Sequence, residues 1–481
     1  MADSATQDRI AQDTETLSLP VVAGLIRLLD AALLILAGGL AAVLVRWAYG
    51  QSSPGSLELA TLVGSGATAI CLAHDGVYAQ SALQSVATQM RMLMKPLVVG
   101  VFCLIGCAFV LHNGTLPFRT WPLCWAVVAA ALIFAARLVI CPQVVRWTES
   151  GRLARKIAIV GVGDFSREFI ERLREEPNAF RIIGVYDDRV ARVPPVHAGV
   201  PVLGTVAELL QRSREEPIDV IVVALPLSAV DRIALILEQL GSAVADICLT
   251  TDLAGLRFSG QQFGGIGSNP VVSIREAPLK DWRALKKTVL DYGIGTVALI
   301  ALLPLLAFVS LLIRLDSPGP ALFRQPRLGF NNRMFLCYKF RTMRSDMTDL
   351  LAERQTTRDD PRITRLGRYL RKLSLDELPQ LINVLNGTMS LVGPRPHAPN
   401  TKAADRLFAE VVQQYALRHR VKPGITGWAQ VNGWRGETKT VDQIEQRVKF
   451  DLFYIENWSV WFDLRIIVMT VLREVASRNA F

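Results

Sequence analysis

Four apolar runs mark the first third of the chain, at about 28–45, 57–73, 93–111 and 122–140. Each is close to the ~20 residues needed to cross a bilayer as a helix. Glu58, Thr61, Ser65 and Thr68 interrupt the second, which makes it the weakest. Trp121, Trp125 and Trp147 suit the two membrane–water interfaces. The runs lack charged faces, which argues against a soluble helical bundle. The first and third connections carry one basic residue each, Arg46 and Arg119. The second carries Arg91 and Lys95, and Arg146, Arg152, Arg155 and Lys156 follow the fourth run. This bias places the N-terminus, the second connection and everything after Arg146 in the cytosol. Residues 1–19 are acidic (Asp3, Asp8, Asp13, Glu15), without the basic start of a signal peptide, and are expected to be a disordered cytosolic tail. The transmembrane bundle then occupies 20–147.

The pattern changes over 152–275. A strand rich in β-branched residues, Lys156 to Val160, runs into a glycine turn and a helix. A second strand ends at Asp187-Asp188, and a third runs from Asp219 to Leu225. This β/α alternation predicts a Rossmann-like α/β domain with a small parallel sheet. Gly161-Val162-Gly163-Asp164-Phe165-Ser166 resembles the dinucleotide fingerprint, with serine at the third glycine, and Asp187 stands where a ribose-binding acid would be. An incomplete fingerprint also marks ordinary tight βα turns, so a structural or regulatory domain is the competing expectation.

A fifth apolar run, 289–313, is long enough to span as a straight helix of ~37 Å. Pro304 interrupts it, and both flanks are basic: Arg283, Lys286 and Lys287 before, Arg314, Arg324 and Arg327 after. The simplest geometry is a re-entrant membrane helix that dips in, breaks at Pro304 and returns. A kinked fifth span is the alternative.

Composition adds where the charge lies. Hydrophobic content is 51% and the net charge is +10. From Pro318 onward there are 26 Lys+Arg against 16 Asp+Glu, whereas the first 317 residues carry 27 of each. The last third therefore favours polyanions such as phosphorylated substrates and anionic lipid headgroups. Seven cysteines without a CxxC spacing argue against a disulfide framework or a zinc site.

Within that basic third, Leu375-Asp376-Glu377-Leu378-Pro379 sets two adjacent carboxylates just ahead of a proline. Proline is tolerated in the first turn of a helix, which predicts a helix starting near Leu375 or Asp376 with both carboxylates on its first turn. There the helix dipole favours an ionised carboxylate and free N–H groups can hold phosphate. An ionised Asp beside a phosphate site is a candidate nucleophile, and an N-capping Asp with a first-turn Glu is the plain alternative.

Four other segments accompany this one: Phe335 to Met343, a strand carrying Lys339 and Arg341; Met389 to Pro396, with Gly393-Pro394-Arg395-Pro396; Lys422 to Gly433; and Arg447 to Trp458, with Asp451. Together these five, over about 282–477, resemble bacterial polyprenyl-phosphate sugar-1-phosphate transferases. The preceding spans and α/β domain resemble the long-form members, the undecaprenyl-phosphate glucose phosphotransferases. The resemblance implies a C-terminal α+β monotopic catalytic domain over 282–481 and a location in the bacterial inner membrane, with the catalytic domain on the cytosolic face. It implies transfer of a hexose-1-phosphate, glucose-1-phosphate as the first choice, from a UDP-sugar to undecaprenyl phosphate. UMP is released, at the first membrane step of exopolysaccharide or capsule assembly. On the family's pattern Asp376 attacks the β-phosphorus and forms a covalent phosphosugar intermediate. Glu377 ligates Mg²⁺ or moves a proton, and Asp451 is a further metal or substrate candidate beside Asp376 and Glu377. Lys339, Arg341, Arg362 and Arg395 are candidate substrate clamps. His397 has no assigned role. UDP-sugar, undecaprenyl phosphate and membrane lipids are the expected partners, nucleic acid is not, and the middle domain is a candidate dimerisation element. The family usually carries Ser-Pro at the break of its dipping helix; here the pair is Leu303-Pro304.

Three other classes compete with this reading. A membrane-anchored NAD-dependent sugar-nucleotide oxidoreductase would need a Tyr-x-x-x-Lys couple, and 152–275 contains none. A five-span transporter would need polar residues along a pathway, and the spans offer few. A direct lipid glycosyltransferase would release UDP instead of UMP.

Overall fold

The computed structural model describes residues 17–49, 56–111, 116–175, 179–250, 265–267, 269–344, 360–398, 402–403, 406–407, 412, 414–436 and 440–476. The expected tail at 1–19 falls mostly outside them. The chain divides into two compact units, Met1–Arg155 and Lys156–Phe481.

The first unit is a bundle of four apolar helices, α1 (Leu19–Tyr49), α2 (Ser56–His74), α3 (Val86–Leu111) and α4 (Leu116–Glu149). Their architecture fits a membrane bundle. The stretches Leu19–Tyr49, Val86–Cys107 and Thr120–Glu149 are long and apolar enough to cross a membrane, while the apolar part of α2, Ala60–His74, is shorter. The polar interruptions of α2 face inward: Thr61, Ser65 and Thr68 are buried. They let helices approach closely. A Cβ on Gly100 of α3 would lie 2.1 Å from Thr68 Oγ1, so glycine is required there, as is usual where membrane helices touch. Trp121 and Trp125 face the inside of the bundle. Both are fully buried, and Trp125 Nε1 donates to Leu34 O at 3.0 Å; spaced four apart, they share the face of α4 turned inward. The bundle also holds a buried polar node that the hydropathy pattern hid. Arg137 of α4 pairs with Asp30 of α1 and donates to Gln89 Oε1 at 2.8 Å, and Tyr78 OH donates to Asp30 at 2.8 Å.

The second unit opens with an eight-stranded sheet. Its strands are β1 (Arg155–Val160), β2 (Phe180–Tyr186), β3 (Val196–His197), β4 (Val200–Gly204), β5 (Val220–Val223), β6 (Asp246–Thr250), β7 (Gly265–Ile266) and β8 (Asn269–Arg275), in the order β3-β4-β2-β1-β5-β6-β8-β7. Strands β4 and β2 pair in parallel, as do β1, β5 and β6, with Ile157 opposite Val220 and Val160 opposite Val223. Alternate residues of β1 feed two cores. Ile157 and Ile159 pack with Phe169 and Ile170 of α5 (Asp164–Leu173). Ala158 and Val160 share a core with Leu209 of α6 (Val206–Glu215) and Ile236 of α7 (Val230–Gln239). Burial on both faces explains why these strands read as unbroken apolar runs.

Helix α8 (Asp281–Asp316) follows, 36 residues long, and passes through Pro304 without ending. The expected break is therefore not a termination: proline removes one donor, and the helical ladder continues on both sides of it. Val289, Val297, Ile300, Leu303, Phe308, Leu311 and Leu315 leave one side of the helix exposed along its length. The opposite side packs on the domain beyond, first with Ile294, Ala298 and Leu302 against Leu381 and Val384, then with Val309 and Ile313 against Phe340 and Leu370. Lys287 does not act as a free flanking cation. It is buried, with Nζ 2.6 Å from Asp463, 3.3 Å from Asp291 and 3.0 Å from Val392 O.

The remainder comprises a hairpin, β9 (Leu322–Leu328) with β10 (Met334–Phe340), then α9 (Arg365–Lys372), α10 (Gln380–Leu385), α11 (Val441–Glu456) and α12 (Val460–Ala476). A short parallel pair, Ser390–Val392 with Gly424–Thr426, ties two sequence motifs together. A Cβ on Gly424 would come within 2.1 Å of Gly393 N, so these two backbones can approach only because both positions are glycine. Helix α12 divides its faces. Phe462 and Ile466 pack inward, and Trp461, Val468, Val471 and Leu472 are exposed.

Candidate active site

The paired carboxylates sit on a single 3₁₀ turn, Leu375–Glu377, and α10 begins only at Gln380. The helix thus starts later than the sequence predicts. Pro379 caps it, and the i→i+3 bonds Glu377 N to Ser374 O and Leu378 N to Leu375 O hold the tight turn. Ser374, just before it, has φ 55°, a left-handed conformation that non-glycine residues seldom adopt. Arg435 Nη2 donates to its Oγ at 2.8 Å, which brings the loop ending at Gly436 to the carboxylate turn.

Glu377 is buried and saturated. Lys339 Nζ lies 2.7 Å from Oε1, and Arg395 donates through Nη1 to Oε2 at 2.9 Å and through Nη2 to Oε1. Burial alone would raise its pKa, but Arg395 and Lys339 outweigh burial and hold it well below the usual carboxylate range. Asp376 is different. Among the described residues its carboxylate has no hydrogen-bond or ion-pair partner. Burial first, then the neighbouring charge of Glu377, push its pKa above the ordinary value, against the pull of Lys339, Arg371 and Arg395.

Beneath Arg395 lies a second polar layer. Arg418, fully buried, pairs with Asp451 through Nε at 3.1 Å and Nη2 at 2.7 Å, and Nη2 also holds Arg395 O at 2.8 Å. His397 is packed here, its Nδ1 2.8 Å from Tyr415 OH and 2.6 Å from Arg418 Nη1. Burial and the surrounding arginines keep it neutral, well below its usual pKa. Arg447 is pushed down to about 10 by burial and by Arg418 and Arg395. A site in which cations depress one another favours a multiply charged anion.

The sequence-predicted residues separate accordingly. Asp376, Glu377, Lys339 and Arg395 converge. Asp451 lies a layer below, committed to Arg418. Arg362 is held by Asp360 in a two-residue turn, with Nε 2.9 Å from Oδ1 and Nη2 2.6 Å from Oδ2, and lowers that carboxyl to about 2. Arg341 is directed elsewhere: it donates to Pro318 O at 2.8 Å, Ser317 O at 2.6 Å and Ile313 O at 3.2 Å, closing the end of α8. Its position two residues after Lys339 placed it on the same strand face by period, but β10 ends at Phe340 and the alternation ends with it. The sequence reading missed Arg371, Arg418 and Arg447. Arg371, five residues before Asp376 on α9, was the most accessible of the three, since α9 leads straight into the carboxylate turn.

A family model described as "Bacterial sugar transferase" matches residues 282–477, and one described as "CoA-binding domain" matches 73–250. The undecaprenyl-phosphate glucose phosphotransferase of Komagataeibacter xylinus is 40% identical over 439 residues, 89% of this chain and 79% of that protein. The chain belongs to the bacterial sugar transferase family. It is a phosphotransferase of the polyprenyl-phosphate sugar-1-phosphate type. The transferase is also 34% identical to the UDP-glucose:undecaprenyl-phosphate glucose-1-phosphate transferase of Escherichia coli (strain K12), over 82% of this chain and 83% of the other. The exopolysaccharide production protein PSS of Rhizobium leguminosarum bv. phaseoli is 47% identical over 40% of this chain and 98% of its own length.

In the transferase's middle domain the glycine turn does not fit a bound coenzyme diphosphate. Gly161 N donates to Tyr186 O, Val162 N to Asp187 Oδ2 and Gly163 N to Ser166 Oγ, so the donors that would cradle phosphate are used internally. Asp187 is fully buried and paired with Arg189 and Arg232, where a ribose-binding acid would need to be open.

Proposed function

We propose that the enzyme transfers a hexose-1-phosphate, glucose-1-phosphate first among candidates, from a UDP-sugar to undecaprenyl phosphate at the first membrane step of exopolysaccharide or capsule assembly. The observation that carries this reading is the contrast within one turn. Glu377 is locked between two cations, while the adjacent Asp376 carboxylate is unengaged among the described residues and faces Lys339, Arg371 and Arg395.

The chemistry follows in two displacements. An Asp376 oxygen forms a bond to the β-phosphorus, the bond to the bridging oxygen breaks, and UMP leaves with the electron pair. A phosphate oxygen of the lipid then attacks the same phosphorus and releases the carboxylate, forming the diphosphate. Neither step requires a proton from the enzyme, which suits a Glu377 held ionised. Arg395 and Lys339 would face the charge that builds on the transferring phosphoryl group. Mg²⁺ fits Asp376 together with substrate phosphate oxygens, where it would neutralise charge. It does not fit a set of Asp376, Glu377 and Asp451, because the latter two are engaged by guanidinium and ammonium groups.

The same reading holds the site at the cytosolic face of the inner membrane, with α8 entering and leaving on one side. Support comes from the two ends of α8: Lys287 is bound to Asp463 and Val392, and Ile313 and Ser317 are bound by Arg341 of the same domain. Cytosolic UDP-sugar and a lipid phosphate at the surface can then meet at one place.

The test is UMP release from a panel of UDP-sugars by membranes supplied with undecaprenyl phosphate. Asp376→Asn should lower turnover by at least ~10³-fold. Near-normal turnover would overturn the assignment, and absence of a hexose-phosphate adduct by intact mass with donor alone would overturn the two-step scheme.

A further inference from the structure

The tip of the β9–β10 hairpin touches both domains of the second unit. Arg333 N donates to Phe330 O at 3.1 Å, and Asn331 and Asn332 both have positive φ, 54° and 56°. This is the two-residue primed turn that matches strand twist, and asparagine tolerates it well. Three side chains spread from it. Asn331 Nδ2 donates to Ser213 O at 2.7 Å, Arg333 Nη2 donates to Glu215 O at 2.7 Å, and Arg333 Nε reaches Arg214 O. Those acceptors are the last carbonyls of α6, which have no partner within their own helix and favour a cation. Asn332 Oδ1 meets His419 Nδ1, next in the chain to Arg418.

The far end of the same strand is Lys339, six residues or ~20 Å from Arg333. Between them Asn383 fixes the strand to α10, accepting from Tyr338 N at 2.8 Å and donating to Leu336 O at 2.7 Å. The hairpin is fully paired, Leu322 opposite Phe340 through Leu328 opposite Met334, so it moves as one body. The middle domain thus holds one end of a stiff element whose other end holds Glu377.

We propose that the middle domain sets the geometry of the transferase site through this hairpin, with Asn331 and Arg333 as positioning residues that keep Lys339 against Glu377. The proposal rests on the reading of Asp376 and Glu377 as the catalytic centre. The Rhizobium relative matches over 98% of its own length using only 40% of this chain, which leaves no length for a middle domain there. The contact therefore tunes the site and does not supply the chemistry.

The experiment compares wild type with Asn331→Ala/Arg333→Ala in full-length enzyme reconstituted in bilayer discs, by UMP release and by hydrogen exchange of 334–340. The double variant should lose roughly 3–10-fold in kcat with KM for UDP-sugar changed less than about twofold. Exchange in 334–340 should quicken. Arg333→Lys should recover most of the loss. Unchanged kcat, or a loss of kcat with unaltered exchange in 334–340, would overturn the proposal. Should the double variant not insert, Arg333→Gln alone decides by the same readouts. Asp376→Asn run in parallel keeps the two questions apart: its retained turnover would remove the catalytic reading whatever Arg333 does.

Discussion

Arg395 forks Glu377, one guanidinium nitrogen on each carboxylate oxygen. With Lys339 also on Oε1, the acceptor capacity of Glu377 is taken up by fixed cations. Glu377 thereby holds two cations beside Asp376.

Replacing it tests that role. Glu377→Gln keeps the shape but leaves Arg395 and Lys339 without their buried counter-charge, a change that costs about 3–5 kcal/mol in comparable buried pairs. Denaturation of the purified enzyme should show a loss of that order, and UMP release should fall by about 10²-fold or more. Retained stability with lost activity would instead point to direct proton transfer.

Asp376 carries an opposite stability effect. Its folded-state pKa lies above the ordinary value, so its charge costs stability at neutral pH; that cost starts to shrink as pH falls to the folded-state pKa and is gone below the ordinary carboxyl pKa. Asp376→Asn should therefore raise the unfolding temperature at pH 7 while abolishing turnover, with the two proteins converging in acid. Wild-type kcat should fall on the acid side at a pH above that of an ordinary carboxyl. A variant less stable than wild type at pH 7 would contradict this sign.

For Asp451 the structure predicts a separation of effects. Asp451→Asn loosens Arg418, which holds the Arg395 carbonyl, so kcat should drop by about 10-fold or more. The Mg²⁺ concentration giving half-maximal activity should stay within about twofold of wild type, because Asp451 is engaged by Arg418. A large rise in that concentration would restore Asp451 as a metal ligand.

Arg341 should behave as a structural residue. Arg341→Ala removes donors from the Ile313, Ser317 and Pro318 carbonyls, and each acceptor left unsatisfied costs about 1–3 kcal/mol. The expected signature is a lower unfolding temperature with KM for UDP-sugar unchanged. A selective rise in KM would return it to the substrate clamps.

In the bundle, Arg137→Leu strands Asp30 and should lower the yield and thermal stability of detergent-solubilised protein, by about 3–5 kcal/mol. Adding Asp30→Leu should recover part of the loss, since an apolar pair replaces a broken ionic one. Equal damage in single and double variants would mean the pair is not the interaction that matters.

Much of this was legible in the sequence because it depended on period and punctuation. The four apolar runs, the β/α alternation and the carboxylates ahead of Pro379 all follow from local rules. What escaped was decided by partners far along the chain. Lys287 looked like a flanking cation until Asp463 reached it, and nothing local showed that Trp125 would face inward and donate to the Leu34 carbonyl. Arg341 and Lys339 sit two residues apart, yet serve different ends of the fold because β10 stops at Phe340 between them. Arg418 had no local signal at all: its role is defined by Asp451, 33 residues on, and by a backbone oxygen of Arg395.

The burial of Lys287 has a consequence for biosynthesis. Its closest partner, Asp463, lies 176 residues downstream. At translation rates of about 5–20 residues per second, roughly ten to thirty-five seconds pass before the ribosome delivers that partner. Throughout that interval the ammonium group at the amino end of α8 has Asp291, four residues on, but lacks Asp463 and the Val392 carbonyl. The helix therefore cannot take its final seat until nearly the whole polypeptide has been made, and truncations that remove only the last helix should be recovered as poorly anchored, protease-sensitive chains.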